Sequence, residues 1–121
     1  MLGQAVAAYT DATHGHTLSA VSGAYYRLLI SRSKDAVKKY CRLAENVWGV
    51  SPDGKTEKDI AVEGLLRMEE WMRDLGLAMN ITACGADPSQ LEGMADACPI
   101  NETGYVVLTR EDVIDVLRQS L

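Results

Sequence analysis

Residues Thr56 to Gly76 read TEKDIAVEGLLRMEEWMRDLG, and this stretch decides the class of the fold. Its apolar residues recur at steps of three and four, which is the spacing of one face of an α-helix. Thr56 and Asp59 form a weak variant of the capping box, with Asp in place of Glu or Gln, and Gly76 is a typical helix stop. The stretch therefore predicts a long amphipathic helix. The members of its apolar face are Ile60, Gly64, Leu65, Met68, Trp71, Met72 and Leu75.

Four more helices are predicted on either side of this one. The same apolar spacing runs through residues 15–30, and again from a cap at Ser33 to a stop at Gly49. The motif DPSQ at 87–90 opens a short helix that Pro99 closes, and Thr109 with Asp112 caps a last helix that runs to the end of the chain. Residues 102–108, ETGYVVL, connect these two helices, and their pattern does not decide between secondary structures.

No convincing strand-like alternation occurs anywhere in the sequence, and no internal linker is long enough to divide it. The 121 residues are 47% hydrophobic and 24% charged, which is typical of a globular domain with a real core. We therefore predict an all-α fold, a bundle of about five helices in a single domain over residues 1–121.

Charge and composition exclude several classes of partner. The net charge of −5 and the scattered basic residues argue against binding of nucleic acid. No apolar run approaches the ~20 residues that span a bilayer, so no membrane association is expected. The opening MLGQAVAAY lacks the features of a secretory signal, and the expected compartment is the cytoplasm. Cys41, Cys84 and Cys98 form no CxxC pair and are expected to be buried free thiols.

Both histidines lie in one turn, AYTDATHGHTLSAV at residues 8–21. Side chains two positions apart on a helix point about 200° away from each other, so at most one of His14 and His16 can face a metal ion. A histidine at a helix N-terminus is held neutral and keeps a ring nitrogen free for coordination, which suits His14. The alternative is a polar residue satisfied in a turn, and these residues alone leave both interpretations open.

Three stretches of the chain resemble the C-terminal helical region of iron-containing alcohol dehydrogenases, in the butanol dehydrogenase-like branch. They are GQAVAAYTDATHGHTLSAVSGAYYRLL, YCRLAENVWGVSPDGKTEKDIAVEGLLRMEEWMRDLGL and the tail VVLTREDVIDVLRQSL. The motif THG at 13–15 is the most specific element. The resemblance implies that His14 is a ligand of a catalytic divalent metal, iron or zinc. It also places Gln4, ten residues before His14, close to the nicotinamide of the cofactor, although Gln4 is equally interpretable as a polar residue at a frayed terminus.

The departures from the family pattern matter as much as the matches. The family's other metal ligands, an aspartate and two further histidines, would fall ahead of Met1, and the Gly-rich turn of a nucleotide-binding domain is missing. The resemblance therefore implies a fragment of an oxidoreductase that acts on a small alcohol or aldehyde with NAD(P). This fragment would have no catalytic residue of its own, no stably bound cofactor and no activity alone. The alternative is a non-catalytic helical interaction module, or a subunit that completes a separate N-terminal half.

Three further expectations concern the surroundings of His14. Asp11 would orient its ring or form an Asx turn, and His16 would lie on the helix surface or line the cleft. Leu2, Val6 and Tyr9 would be left uncovered without the upstream domain, so the chain would self-associate as a two-fold homo-oligomer. The alternative is that the first dozen residues fold back onto the chain's own helices.

Overall fold

The computed structural model describes residues 2–99 and 104–121, and this part of the chain is helical without any strand. It contains six α-helices and one 3₁₀ helix. They are α1 Leu2–Ala7, α2 His14–Arg32, α3 Lys34–Asn46, α4 Glu57–Asp74, the 3₁₀ helix Pro88–Gln90, α5 Leu91–Ala97 and α6 Arg110–Gln119. The all-α prediction is confirmed, and α1 is the helix that the sequence pattern missed. Part of the ambiguous link, residues 102 and 103, lies outside the described residues.

The predicted caps are present as hydrogen bonds. The hydroxyl of Thr56 accepts from the backbone N–H of Asp59 at 3.2 Å, and the Asp59 carboxylate accepts from the N–H of Thr56 at 3.4 Å. The same reciprocal pair joins Thr109 and Asp112 at the start of α6. These boxes satisfy backbone N–H groups that have no partner inside the helix, which explains why α4 and α6 begin at these residues.

The main core is formed by α1, α2, α5 and α6, together with residues of the segments that connect the helices. Its fully buried members include Val6, Ile81, Met94, Val116 and Leu117. Leu2 is 5% exposed and Val6 is 0% exposed, because α1 folds back against α2 and α5. The expectation that Leu2 and Val6 are uncovered is therefore wrong, whereas Tyr9 is 41% exposed.

A second packing unit is formed by α3 and α4, which make more extensive contact than any other pair of the helices described here. Ala44 is completely buried against Gly64. A Cβ atom built at Gly64 would lie 2.9 Å from the Cα of Ala44, closer than carbon atoms normally approach. Glycine at this position is what lets the two helix backbones come together.

The segment after α4, residues 77–86, has no helix, but backbone hydrogen bonds fix it at several points. Gly76, with φ +79°, ends α4 in a Schellman arrangement in which Leu77 N–H donates to Met72 C=O at 3.1 Å. Further along, the N–H of Ile81 donates to the C=O of Ser120 at 2.7 Å. This segment therefore connects the end of α4 to the end of α6. None of the helices described here has the length and apolar character needed to cross a membrane.

Candidate functional site

His14 is the first residue of α2, and its side chain is exposed. Thr13 precedes it with extended backbone angles, φ −67° and ψ 153°, and its side chain makes no capping hydrogen bond. The positive end of the helix dipole therefore lies beside the residue that carries the imidazole. The exposed ring is accessible to a metal ion, for which imidazole is the commonest protein ligand.

His16 has a structural partner that the sequence did not indicate. Its Nδ1 atom accepts a hydrogen bond from the backbone N–H of Ala78 at 3.0 Å. In the neutral ring, an accepting Nδ1 places the proton on Nε2. His16 is half-buried and turns toward the segment after α4, so its ring and that of His14 have different surroundings.

Ser19, one turn further along α2, contacts the same residue. Its hydroxyl donates to the C=O of Ala78 at 2.6 Å, and the serine is 6% exposed. The thiol of Cys84 points to the C=O of His16, with 3.8 Å between sulfur and oxygen. Burial raises the pKa of the Cys84 thiol, which keeps it protonated and able to donate. Sequence reasoning missed Ser19 because its partner lies 59 residues away.

Asp11 and Gln4 are both exposed. Within the described part of the chain, no hydrogen bond joins Asp11 to the ring of His14. Gln4 lies inside α1, whose C=O groups accept regular helical bonds such as Ala8 N–H to Gln4 C=O at 3.0 Å. Its backbone therefore takes part in regular helical hydrogen bonding, and its side chain is exposed.

Two cavities flank the first turns of α2. One has a volume of about 400 Å³ and is mainly apolar; its wall includes Leu2, Gly15, Leu18, Tyr25, Met68 and Met72. The other lies on the side of His16 and is walled by Asp11, Thr13, Ala78 and Cys84 among others. The turn that carries His14 therefore lies between two cavities, of which the one beside Leu18 and Tyr25 is the more apolar.

Among the described residues, the donor atoms around His14 are enough for one ligand of a metal site but not for a complete site. Among residues 2–99 and 104–121, no group of three or more His, Cys, Asp and Glu side chains could hold a metal ion. Protein metal sites ordinarily need three or four ligands. His14 can supply one nitrogen ligand, and further ligands would have to come from another part of a protein.

The whole chain, residues 1–121, matches the family model described as "Fe-containing alcohol dehydrogenase family, C-terminal". It is also similar to two proteins of Bacillus subtilis (strain 168), named Probable NADH-dependent butanol dehydrogenase 1 and 2. The first is 29% identical over 119 residues and the second 28% identical over 122 residues. In both cases the similarity covers 97% of this chain and only 30% of the length of the relative.

Two solved structures contain the same arrangement of helices. A 1,3-propanediol oxidoreductase matches with a TM-score of 0.86 and 15% identity, over 99% of this chain and 31% of the other. A mutant of an archaeal halo-thermophilic Red Sea brine pool alcohol dehydrogenase matches with a TM-score of 0.80 and 21% identity, over 100% of this chain and 32% of the other. At these identities the likeness shows the fold alone, as one part of a larger chain.

Proposed function

The chain belongs to the iron-containing alcohol dehydrogenase family, whose C-terminal part it matches, and from that premise we propose a specific contribution to catalysis. We propose that it supplies one metal ligand, His14, and part of the cleft wall of an NAD(P)-linked oxidoreductase acting on alcohols or aldehydes. The observation that carries the proposal is the exposed imidazole on the first residue of α2, within the THG motif.

The metal would supply Lewis-acid chemistry, polarising the oxygen of the alcohol so that hydride can pass to the nicotinamide. In this chain, His14 would hold the ion through a ring nitrogen at the positive end of α2. Gln4 would lie near the cofactor, where its amide can donate or accept a hydrogen bond but cannot carry a proton at neutral pH. The exposed Asp11 is the nearest acidic side chain in sequence that could orient the ring of His14.

We expect the chain alone to bind metal weakly, because one imidazole is far fewer than the three or four ligands of a stable site. The test is a titration of the isolated chain with Zn²⁺, followed by NMR signals of the two histidine rings. The ring of His14 should respond first, and His14→Ala should remove that response. Asp53→Asn, in the exposed turn before α4, serves as the control. Stoichiometric metal that survives dialysis against a mild chelator would overturn this expectation.

We also expect no change in nicotinamide absorbance when the purified chain is mixed with NAD(P) and butanol or an aldehyde. The residues described here include no complete metal site, and the chain spans 30% of the length of its butanol dehydrogenase relatives. Turnover by material free of any longer protein would contradict the proposal.

The alternative function is a non-catalytic helical module, or a subunit that completes a separately made N-terminal half. The incomplete donor set around His14 favours it. Sequencing of the DNA upstream of the Met1 codon separates the two. An in-frame aspartate, histidines and Gly-rich turn there would support a truncated enzyme, whereas a ribosome-binding site close to Met1 would support the module.

Self-association stays a prediction, as does a location in the cytoplasm. Of the three residues expected to form the association surface, only Tyr9 is exposed. Sedimentation equilibrium over a range of concentrations tests the prediction, with Tyr9→Ser expected to weaken any dimer. A strictly monomeric mass at every concentration would contradict it.

A further inference from the structure

Both polar groups of the Ala78 backbone are bound by side chains of α2. The N–H of Ala78 donates to Nδ1 of His16 at 3.0 Å, and its C=O accepts from the hydroxyl of Ser19 at 2.6 Å. Residues three apart on a helix lie on the same face, so the two side chains reach one residue together. We call this pair of hydrogen bonds the Ala78 clamp.

The clamp compensates for a weakness at the start of α2. Thr13 is the N-cap residue but offers no side-chain hydrogen bond, so the first turn lacks the local support that Thr56 and Thr109 give to α4 and α6. Uncapped helix ends fray. Here the first turn is supported from outside, by a segment 62 residues away in sequence.

The supporting segment is itself fixed. Ile81 is 0% exposed, and its N–H donates to the C=O of Ser120 at the end of α6. The Cys84 thiol adds a contact to the C=O of His16. The clamp therefore connects the first turn of α2 to the end of α6 through residues 78–84, and α6 is anchored in the main core.

We propose that His16 and Ser19 are positioning residues, which hold the first turn of α2 so that His14 presents its ring in one direction. This inference rests on the proposed role of His14 as a metal ligand and deepens it. A ligand must stay within about 0.5 Å of its productive position to hold an ion with other groups. A frayed first turn would carry the His14 ring well beyond that range.

The chain offers matched variants for a test. In asparagine, Oδ1 is bonded to Cγ as Nδ1 is in histidine, so His16→Asn keeps an acceptor near the Ala78 N–H, whereas His16→Leu removes it. Ser19→Ala removes the second bond, together with the longer contact of the same hydroxyl with the C=O of His16 at 3.0 Å within α2. Its control is Ser22→Ala, because the Ser22 hydroxyl donates to the C=O of Ser19 at 3.0 Å and does not reach Ala78.

The first measurement is amide hydrogen exchange by NMR on the full 121-residue chain. We expect the Ala78 amide to exchange roughly five- to tenfold faster in His16→Leu and in Ser19→Ala, the change that follows from one lost hydrogen bond. His16→Asn and Ser22→Ala should stay close to the unmodified chain. The amides of the buried residues Leu65 and Met94 report any loss of global stability. The change in their exchange is subtracted from the change at the Ala78 amide.

The second measurement separates positioning from simple support. Nitrogen relaxation at the His14 and Gly15 amides should show a more mobile first turn in His16→Leu and in Ser19→Ala, with order restored in His16→Asn. A first turn that stays equally ordered in both variants while the Ala78 amide opens would overturn the proposal. So would an Ala78 amide that neither variant affects. If His16→Leu fails to fold, the proposal is tested by comparing the order of the first turn in Ser19→Ala with that in Ser22→Ala.

Zn²⁺ titration keeps this inference distinct from the proposed function. In the unmodified chain, a His14 ring that does not respond to Zn²⁺ would remove the ligand role and leave the exchange and relaxation results standing. Where the ring does respond, we expect its affinity for Zn²⁺ to fall severalfold in His16→Leu and to recover in His16→Asn. An unchanged affinity in His16→Leu would contradict the positioning role.

Discussion

At Asp112 an ion pair, a helix cap and burial act on one carboxylate. Arg32 donates a hydrogen bond to Oδ1 at 2.7 Å, and the N–H of Thr109 donates to Oδ2 at 2.9 Å. The hydrogen bond from Arg32 is the main reason why the pKa of Asp112 falls from 3.8 to about 2; burial opposes the shift, and the bonds from Thr109 assist it. The carboxylate therefore stabilises the fold only while it is ionised.

We expect this stabilisation to be complete above pH 3.8, the ordinary pKa of the carboxyl, and to be lost as the pH falls through about 2. Asp112→Asn should cost about 1–2 kcal/mol near neutral pH, because the exposed end of Arg32 weakens the pair. The difference in the free energy of unfolding between the unmodified chain and Asp112→Asn should vanish near pH 2. Urea unfolding at a series of pH values measures it.

Asp115→Asn is the control for this experiment. Asp115 lies on the same helix and pairs with Arg118 at 3.0 Å, but both side chains are exposed. Exposed pairs contribute less than about 1 kcal/mol, so this variant should change little at any pH. A loss in Asp112→Asn that persists unchanged in acid would assign the effect to packing or capping rather than to charge.

Gly64 is the residue at which α3 and α4 come closest. Gly64→Ala places a methyl group against Ala44, and we expect a net loss of about 1–3 kcal/mol despite the better helix propensity of alanine. Gly15→Ala is the matched control, since nothing lies within 4 Å of its Cβ. Adding Ala44→Gly should recover part of the loss. Thermal or urea unfolding measures all three, and an unaffected Gly64→Ala would disprove the close approach.

Residue roles were predictable from the sequence only where the signal is local. The THG motif and the helix start pointed to His14, whose ligand role stays a prediction. His16 and Ser19 were not recognised as partners of Ala78, because that residue lies 62 and 59 positions away and a backbone acceptor or donor leaves no mark in sequence. Tertiary contacts of this kind become visible only in the folded chain.

Among the elements, helix N-termini offer a comparison within one molecule. Thr56 and Thr109 each accept a capping hydrogen bond at 3.2 Å, whereas Thr13 accepts none. We expect Thr56→Ala and Thr109→Ala to cost about 1 kcal/mol each, and Thr13→Ala to change stability by no more than a few tenths. Urea unfolding of the three variants is the measurement. A cost for Thr13→Ala as large as the other two would contradict the assignment.

The same local chemistry explains which elements the sequence revealed. Long helices with apolar periodicity and caps, above all α4, were predicted close to their observed limits. The helix α1 was missed because it has only 6 residues, too few for a periodic pattern, and carries no acidic residue in its first turn. Its existence depends on packing against α2 and α5 rather than on its own propensity.

For the whole molecule, the position of α1 decides how the first residues respond to substitution. Val6 is fully buried in the main core, so Val6→Ala should lower the free energy of unfolding by about 1–3 kcal/mol. Leu66→Ala, at a residue 55% exposed on α4, should cost less than about 0.5 kcal/mol. Equal effects in urea unfolding would mean that α1 is not part of the core in solution.

The main core takes Leu2 and Val6 from α1 and Val116 and Leu117 from α6. A ribosome makes the first pair long before the second, so the faces of α2 and α5 against which α6 packs stay uncovered until α6 has left the exit tunnel. During that interval those faces are available to chaperones or to neighbouring nascent chains. The contact of Ala44 with Gly64, which needs only α3 and α4, can form earlier. The order of translation therefore determines which half of the protein is protected first.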